Sequence, residues 1–525
     1  MCGIFLLHDK NAGFNDTLRE FQEGELVDVN GPLPAAYRNS YISTKIIPLV
    51  ARRGPNYSSL RLSAACNTLW FSSVLSLRQP FTPQSISVGN RFILQFNGEL
   101  YNAEIQFNDT QYIVSKLLAH PDDIVAIIRQ WEGEFAFTIF DILKQSIYFG
   151  RDSIGKRSLS YHCHNGTLSI ASVTGHIDDN GDSLQYENCL AGVIYKYDIA
   201  TSTLDSSSIT IQPAFSVTDK QDLEHLTLND TVDQLYKTLA TAVGKRIDSI
   251  HPKHIENSPI AILFSGGLDC SVLVALICYH LISIKKQNSS IIELLNVAFE
   301  NPRTGLQPCD APDRKLAIQS ATFLQNLFPT ITIHLVQIDV PYDMYLESRP
   351  HVIDLMFPKQ TEMDLSIAIA FYFASRGEGF ITNSSTNGQK IPYKRHGIVL
   401  FSGLGADELY GGYHKFNNKS KDELVIELTK QINNIHDRNL NRDDKVIADN
   451  GVEVRYPFLD VDVINFSTES IPITFKTNKL ILREMATQKL KLGFIAMEPK
   501  RAIQFGSKSA KMTKDGNKNG TDLLK

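Results

Sequence analysis

The strongest constraint on the fold is the stretch Ile260-Ala261-Ile262-Leu263-Phe264-Ser265-Gly266-Gly267-Leu268-Asp269-Cys270-Ser271. An apolar run this short, with no polar alternation, suits a strand buried on both faces. It enters a glycine turn and then a long apolar segment that predicts a helix beginning near Ser271. Strand, turn and helix in that order mark a parallel α/β sheet. Backbone N–H groups at such a turn, with the positive end of the helix, can cradle a phosphate chain. No Gly-Lys-Ser/Thr follows, so a kinase-type γ-phosphate loop is excluded. A second constellation repeats the pattern: strand 397–401 precedes Ser402-Gly403-Leu404-Gly405-Ala406-Asp407-Glu408. Asp269 and Asp407 can share one Mg²⁺, because magnesium takes a few carboxylates together with phosphate oxygens. The alternative for Asp407 and Glu408 is stabilisation of a helix start.

The chain upstream has another character. From residue 2 to about 200, short apolar or alternating runs recur, such as Arg91 to Phe96, Glu134 to Phe140 and Ser146 to Phe149. Asn97-Gly98 and Asn165-Gly166 punctuate them. Stacked sheets with flanking helices suit this region. The polar stretch 201–230, including Ser206 to Ser208, reads as a connector, and helical spacing of Val232, Leu235, Leu239 and Val243 follows it. With 525 residues the chain is too long for one core. The division is 2–210 for a first domain and 225–510 for a second, with a polar tail at 511–525 expected to be disordered. A net charge of −5 argues against a nucleic-acid surface as the main business. No apolar run is long enough to span a bilayer, and Met1-Cys2-Gly3-Ile4 does not open a signal peptide. Seven scattered cysteines without a CxxC pair fit a reducing compartment, so a cytoplasmic protein is expected.

Cys2 is distinguished by its place. Removal of the initiator methionine would leave a thiol and an α-amine on one residue. An α-amine with a pKa of about 7.7–8.0 can serve that thiol as general base. Arg53-Gly54-Pro55-Asn56 and Asn97-Gly98-Glu99-Leu100-Tyr101-Asn102 follow. The Asn97 amide and the Gly98 N–H can together meet a tetrahedral oxyanion. The alternative for Asn97-Gly98 is a plain hairpin turn. His162 and His164 share a strand face without the third ligand that zinc needs.

Cys2, Arg53 to Asn56, Asn97 to Asn102 and Gly150-Arg151-Asp152 stand in the order seen in class II glutamine amidotransferases, and the Ser265 loop resembles the pyrophosphate loop of enzymes that split ATP into AMP and pyrophosphate. Taken together, the motifs resemble glutamine-hydrolysing asparagine synthetases over nearly the whole chain. The final third is most similar to the asparagine synthetase domain-containing protein group, through Arg438 to Lys445, Val452 to Asp460 and Pro499 to Ser507. The resemblance implies an α/β and α+β two-domain protein: an N-terminal Ntn-type αββα glutaminase sandwich and a C-terminal parallel α/β pyrophosphate-loop domain of the adenine nucleotide α-hydrolase kind. It implies that Cys2 hydrolyses glutamine, that ammonia passes through a tunnel, and that aspartate reacts with ATP to give β-aspartyl-AMP. It gives Asn97 and Gly98 the oxyanion hole, and Glu99 and Asp109 the glutamine amino group. Ser265, Gly266, Gly267, Ser271, Ser402 and Gly403 fall to the nucleotide, with the strand Leu295 to Phe299 beside adenine. Asp269 and Asp407 fall to Mg²⁺, and Lys445 and Lys500 face phosphate. A homodimer is a candidate assembly. Three positions depart from the family. Leu75 stands where an arginine clamps the glutamine carboxylate, with Arg78 as a substitute. Leu404 stands where an acid handles a proton, and Cys270 replaces a serine. Leu75 and Leu404 leave open a protein that keeps the fold and binds or regulates without making asparagine; another carboxylate acceptor is open as well.

Overall fold

The computed structural model describes residues 2–176, 185–205, 209–219, 226–251, 260–286, 290–383, 389–416, 418–512 and 519–524. Met1 and the Ser206 to Ser208 part of the polar connector lie outside them, as does 513–518 of the tail. The protein has two α/β units. The first takes residues 1–213 together with 353–359 and 436–452; the second takes the remainder. Two segments from the region read as the second domain therefore belong to the first unit.

The first unit contains two antiparallel sheets. One has the strand order Glu187–Asn188, Ser160–His164, Thr167–Ala171, Gly3–Asp9, Thr68–Val74, Tyr57–Ser63, Thr17–Gln22. The other runs Thr203–Asp205, Ile194–Asp198, Ser146–Arg151, Gly133–Asp141, Phe92–Leu100, Ile86–Val88. Period-two alternation decides which side chains meet which layer. In Gly133–Asp141, Phe135, Phe137 and Ile139 pack against the helices Asp109–Ala119 and Ile124–Arg129 through Ile113, Leu117 and Ile127. Ala136 and Phe140 turn to the opposite side, where Ile4, Leu6, Trp70 and Ile170 of the facing sheet complete a core between the sheets. The helix Ile47–Arg53 lies on the far side of that sheet, where Ser73 Oγ donates to the Val50 carbonyl at 2.6 Å. The expected layering of helices, two sheets and helices is what the residues build. Asn165-Gly166 makes the turn between Ser160–His164 and Thr167–Ala171. Asn97-Gly98 makes no turn: both residues lie within Phe92–Leu100, opposite Ala136 and Phe135.

The second unit is built on one seven-stranded sheet. Five strands are parallel, in the order Thr332–Val340, Ile291–Phe299, Ile260–Leu263, Val399–Phe401, Glu453–Arg455. The antiparallel strands Glu378–Asn383 and Gln389–Lys394 extend one edge. From Ile260–Leu263 the chain winds to one side through the next two parallel strands, and the two later ones lie on the other side. The winding reverses between Ile260–Leu263 and Val399–Phe401, where the carboxyl ends of neighbouring strands open a crevice. The helix Leu268–Ser283 is buried nearly all round, which explains its uninterrupted apolar sequence. It begins at Leu268, three residues before the predicted start, so Asp269 and Ser271 fall in its first turn. No helix among the described residues is long and apolar enough to cross a membrane.

The described part of the tail, 519–524, meets the start of the helix Glu362–Arg376. Gly520 and Asp522 carbonyls accept from the N–H groups of Met363 and Glu362 at 2.9 and 3.0 Å, and Leu524 N donates to the Gln360 carbonyl at 2.8 Å. The first N–H groups of the helix Glu362–Arg376 have no partner within the helix. A polar segment can supply carbonyls to them without any apolar side chain.

Candidate functional site

Two groups of predicted residues assemble, one in each unit. In the first, Cys2 sits just before the strand Gly3–Asp9, and its N–H donates to Asn97 Oδ1 at 2.9 Å. The Asn97 side chain is fully buried, and its Nδ2 has no hydrogen-bond partner. Buried amide donors are nearly always paired. An orphaned one beside a thiol-bearing residue is a donor held ready for a guest. Gly98 holds a φ of +153°, and a Cβ there would stand 2.0 Å from the Glu134 carbonyl oxygen. Only glycine lets the two strands approach this closely.

Glu99 and Asp109 are both buried beside this strand end. Asp109 Oδ2 accepts from Leu100 N at 3.1 Å. The Arg78 guanidinium is drawn to Glu99 and donates to the Leu100 carbonyl at 2.6 Å. Leu75 is buried and apolar. Arg78 is thus the cation that reaches Glu99.

In the second unit the switch point brings together the two glycine loops. Gly266 has a φ of +83°, and a Cβ there would meet Ala317 N at 2.6 Å. Gly267 N donates to Ser265 Oγ at 3.4 Å. The Ser271 hydroxyl is fully buried without a partner, and Cys270 donates its thiol to the Gly267 carbonyl at 3.2 Å. Gly403 abuts the first loop: a Cβ on it would lie 2.9 Å from that of Asp269. Ser402 N donates to the Arg455 carbonyl at 3.0 Å, which fixes the second loop to the neighbouring strand. Leu404 is half-buried there, with its N–H on Ser402 Oγ at 3.3 Å.

Asp269 and Asp407 converge on a single cation that sequence reasoning missed. Lys479 Nζ lies 2.6 Å from Asp269 Oδ2 and 2.6 Å from Asp407 Oδ1. Lys500 pairs with the other oxygen of Asp407, and its ammonium lies 5.4 Å from the Tyr413 ring centroid. Burial works against the ionised Asp407 carboxylate, but the two ammoniums outweigh it and hold the group below its usual range. Burial would lower the Lys479 ammonium, and the two carboxylates more than offset that. Glu408 shows the opposite balance: burial and the adjacent Asp407 push its carboxyl up, while Tyr413 donates to it at 2.5 Å. The sequence signal for Lys479 was its position immediately before the apolar helix Leu480–Gln488. Both Asn478 and Lys479 hold positive φ there, at 50° and 58°.

Lys445 lies in the helix Asn441–Ala448. It belongs to the segment that joins the first unit, is almost fully buried, and donates Nζ to the Phe357 carbonyl at 2.8 Å. Burial, with the Arg151 and Arg53 cations nearby, pushes its ammonium down to about 7. Among the described residues no cluster of three or more His, Cys, Asp or Glu forms a metal cage, and His162 Nδ1 is 3.0 Å from the Gln185 carbonyl. All seven cysteines are free.

Comparison with known proteins matches residues 72–179 to the glutamine amidotransferase domain family and 417–522 to the asparagine synthase family. The asparagine synthetase domain-containing protein 1 of Gallus gallus is 28% identical, covering 91% of this chain and 95% of its own. A putative glutamine-hydrolysing asparagine synthetase of Methanocaldococcus jannaschii is 24% identical over 79% of this chain and 78% of its own. An asparagine synthetase domain-containing protein of Saccharomyces cerevisiae is 60% identical over 100% of this chain and 99% of its own. With the two loops, the Cys2–Asn97 pair and these matches together, the chain belongs to the asparagine synthetase domain-containing protein family.

Proposed function

We propose that the protein is a glutamine-dependent, ATP-using ligase that amidates aspartate to asparagine. Cys2, freed of Met1, attacks the glutamine carboxamide with its own α-amine as base. Asn97 Nδ2 and the Gly98 N–H receive the oxyanion, Glu99 and Asp109 hold the substrate amine, and Arg78 is the nearby cation for its carboxylate. Ammonia is released and a thioester on Cys2 is hydrolysed to glutamate. In the second unit, the Ser265–Ser271 turn, Ser402 and Gly403 hold ATP while the aspartate β-carboxylate attacks its α-phosphorus, expelling pyrophosphate. Ammonia then displaces AMP from the acyl-adenylate, with Lys500 set against the phosphate. Asp269 and Asp407 would hold Mg²⁺ as a partner of the nucleotide, with phosphate oxygens as its other ligands, and the ion would supply neutralisation of phosphate charge.

The observation that carries this reading is the buried, unpartnered Asn97 Nδ2 on the residue whose Oδ1 holds Cys2. Glutamate and pyrophosphate release by the purified protein, with and without aspartate, is the test. Glutamate release that disappears in Cys2→Ala, and pyrophosphate release that requires aspartate, are expected. Pyrophosphate release indifferent to aspartate would move the proposal to another carboxylate acceptor. A second reading, a nucleotide-binding regulatory protein, is favoured by Leu404, which can move no proton. Absence of both products, with ATP still bound, would establish it.

A further inference from the structure

Cys2 lies just before the strand Gly3–Asp9, and its backbone is held at both its N–H and its carbonyl. Its N–H goes to Asn97, and its carbonyl accepts from Arg53 Nε at 3.3 Å. Arg53 closes the helix Ile47–Arg53 and is only 1% exposed, so its guanidinium needs a buried anion. That anion comes from far along the chain. Arg53 Nη2 donates to Asp444 Oδ2 at 2.9 Å, and the same oxygen accepts from Ser158 N and Ser158 Oγ at 2.9 and 2.7 Å. The other carboxylate oxygen lies 3.7 Å from Arg157 Nη1, while Arg157 Nη2 donates to Glu134 at 3.3 Å. Glu134 is the residue whose carbonyl packs against Gly98 and which stands opposite Glu99 in the sheet. Asp444 is fully buried in the helix Asn441–Ala448, within the 436–452 segment that rejoins the first unit.

We propose that Asp444 is a positioning residue for the Cys2 site. One arm, through Arg53, fixes the carbonyl of the nucleophile's residue. The other, through Arg157 and Glu134, supports the strand that packs against Gly98 and Glu99. A helix remote in sequence thereby sets the angle at which the thiol meets its substrate. The inference rests on Cys2 being a glutaminase nucleophile, and its test separates the two.

The full-length protein would be compared with Asp444→Asn and with the double variant Arg53→Met, Asp444→Leu, which replaces the ion pair by apolar groups of similar size. Three rates are read: glutamine hydrolysis, alkylation of Cys2 by the glutamine-shaped electrophile 6-diazo-5-oxo-norleucine, and alkylation of Cys2 by iodoacetamide. Exposed Cys309 serves as internal control. A positioning role lowers kcat for glutamine and the rate with the shaped electrophile at least tenfold. It changes the iodoacetamide rate less than threefold, because the thiol persists and only its aim is lost. Parental rates with both electrophiles in a folded variant would overturn the proposal. So would equal losses with both electrophiles, or failure of both variants to fold, since each assigns Asp444 a purely structural role. If the parent itself hydrolyses no glutamine, the glutaminase reading fails, and the ratio of the two alkylation rates still decides the role of Asp444.

Discussion

Replacing Lys479 by Met removes the one ammonium that Asp269 and Asp407 share. Its side chain is 4% exposed, those of Asp407 and Asp269 are 11% and 23%, and Lys500 remains as a partner for Asp407 alone. Breaking a buried ion pair from one side costs about 3–5 kcal/mol. The partial exposure of Asp269 screens its share, so the lower end, roughly 3 kcal/mol, is expected. At about 2–4 °C per kcal/mol this is a fall of roughly 6–12 °C in Tm. The two carboxylates left facing each other then form a better site for a divalent cation. Magnesium at about one hundred times its Kd would restore about 2.7 kcal/mol. Differential scanning fluorimetry with and without nucleotide-free MgCl₂ measures both effects, with the parent protein as the control that gains little from magnesium. A Lys479→Met protein that melts with the parent would show that the cation carries no stabilising load. A destabilised variant that calcium, magnesium and sodium chloride rescue equally would refute the carboxylate pair as a divalent-ion site.

Asn97→Ala should lower kcat for glutamine about 10²–10³-fold, the usual value of one oxyanion donor, with a modest fall in Tm because the Cys2 N–H loses its acceptor Oδ1 while Nδ2 has no partner to lose; a Tm fall of ten degrees would mark the residue as structural. Leu404→Glu should raise the ratio of asparagine formed to pyrophosphate released by about 10²-fold or more if proton handling limits the parent, and a parental ratio near one would make the missing acid irrelevant. Lys476 is fully buried, its Nζ has no hydrogen-bond partner, and burial pushes its ammonium down to about 7. Its folded pKa lies below the unfolded one, so the penalty is absent above about pH 10.4, grows as pH falls, and is complete below about 7. Lys476→Met should therefore raise Tm at pH 6–7 and lose that advantage toward pH 10; a gain that does not vary with pH over this range would refute the buried-amine argument.

The strand–turn–helix course from Ile260 to Ser283 was legible because a buried strand, a glycine turn and an apolar helix each leave a local pattern in the chain. That Cys2 and Asn97 would meet was implied by the order of the motifs, and the Cys2 N–H does reach Asn97 Oδ1. The hairpin alternative for Asn97-Gly98 could not be dismissed from the chain alone, since the same dipeptide serves a turn at Asn165-Gly166. That Lys445 and its helix join the first unit was not legible, because a motif records spacing along the chain, whereas the unit a helix joins depends on which apolar faces it meets. Lys479 escaped notice since a lysine in a polar turn usually faces water; its partners are 210 and 72 positions away. The bonds that residues 519–524 make were not legible either, because backbone carbonyls that serve a helix end have no sequence signature.

The return of residues 436–452 to the first unit has a bearing on synthesis in the cell. A ribosome adding about 5–20 residues per second needs roughly 10–45 seconds to cross the 214–435 interval. Throughout that time the emerging N-terminal sheets exist without Asp444, and the Arg53 guanidinium lacks the carboxylate it meets in the finished protein, whereas Arg157 already has Glu134. Burying the Arg53 cation without that partner would be costly. The Asp444 support of Arg53, and through it of the Cys2 carbonyl, therefore forms only after most of the polypeptide has emerged.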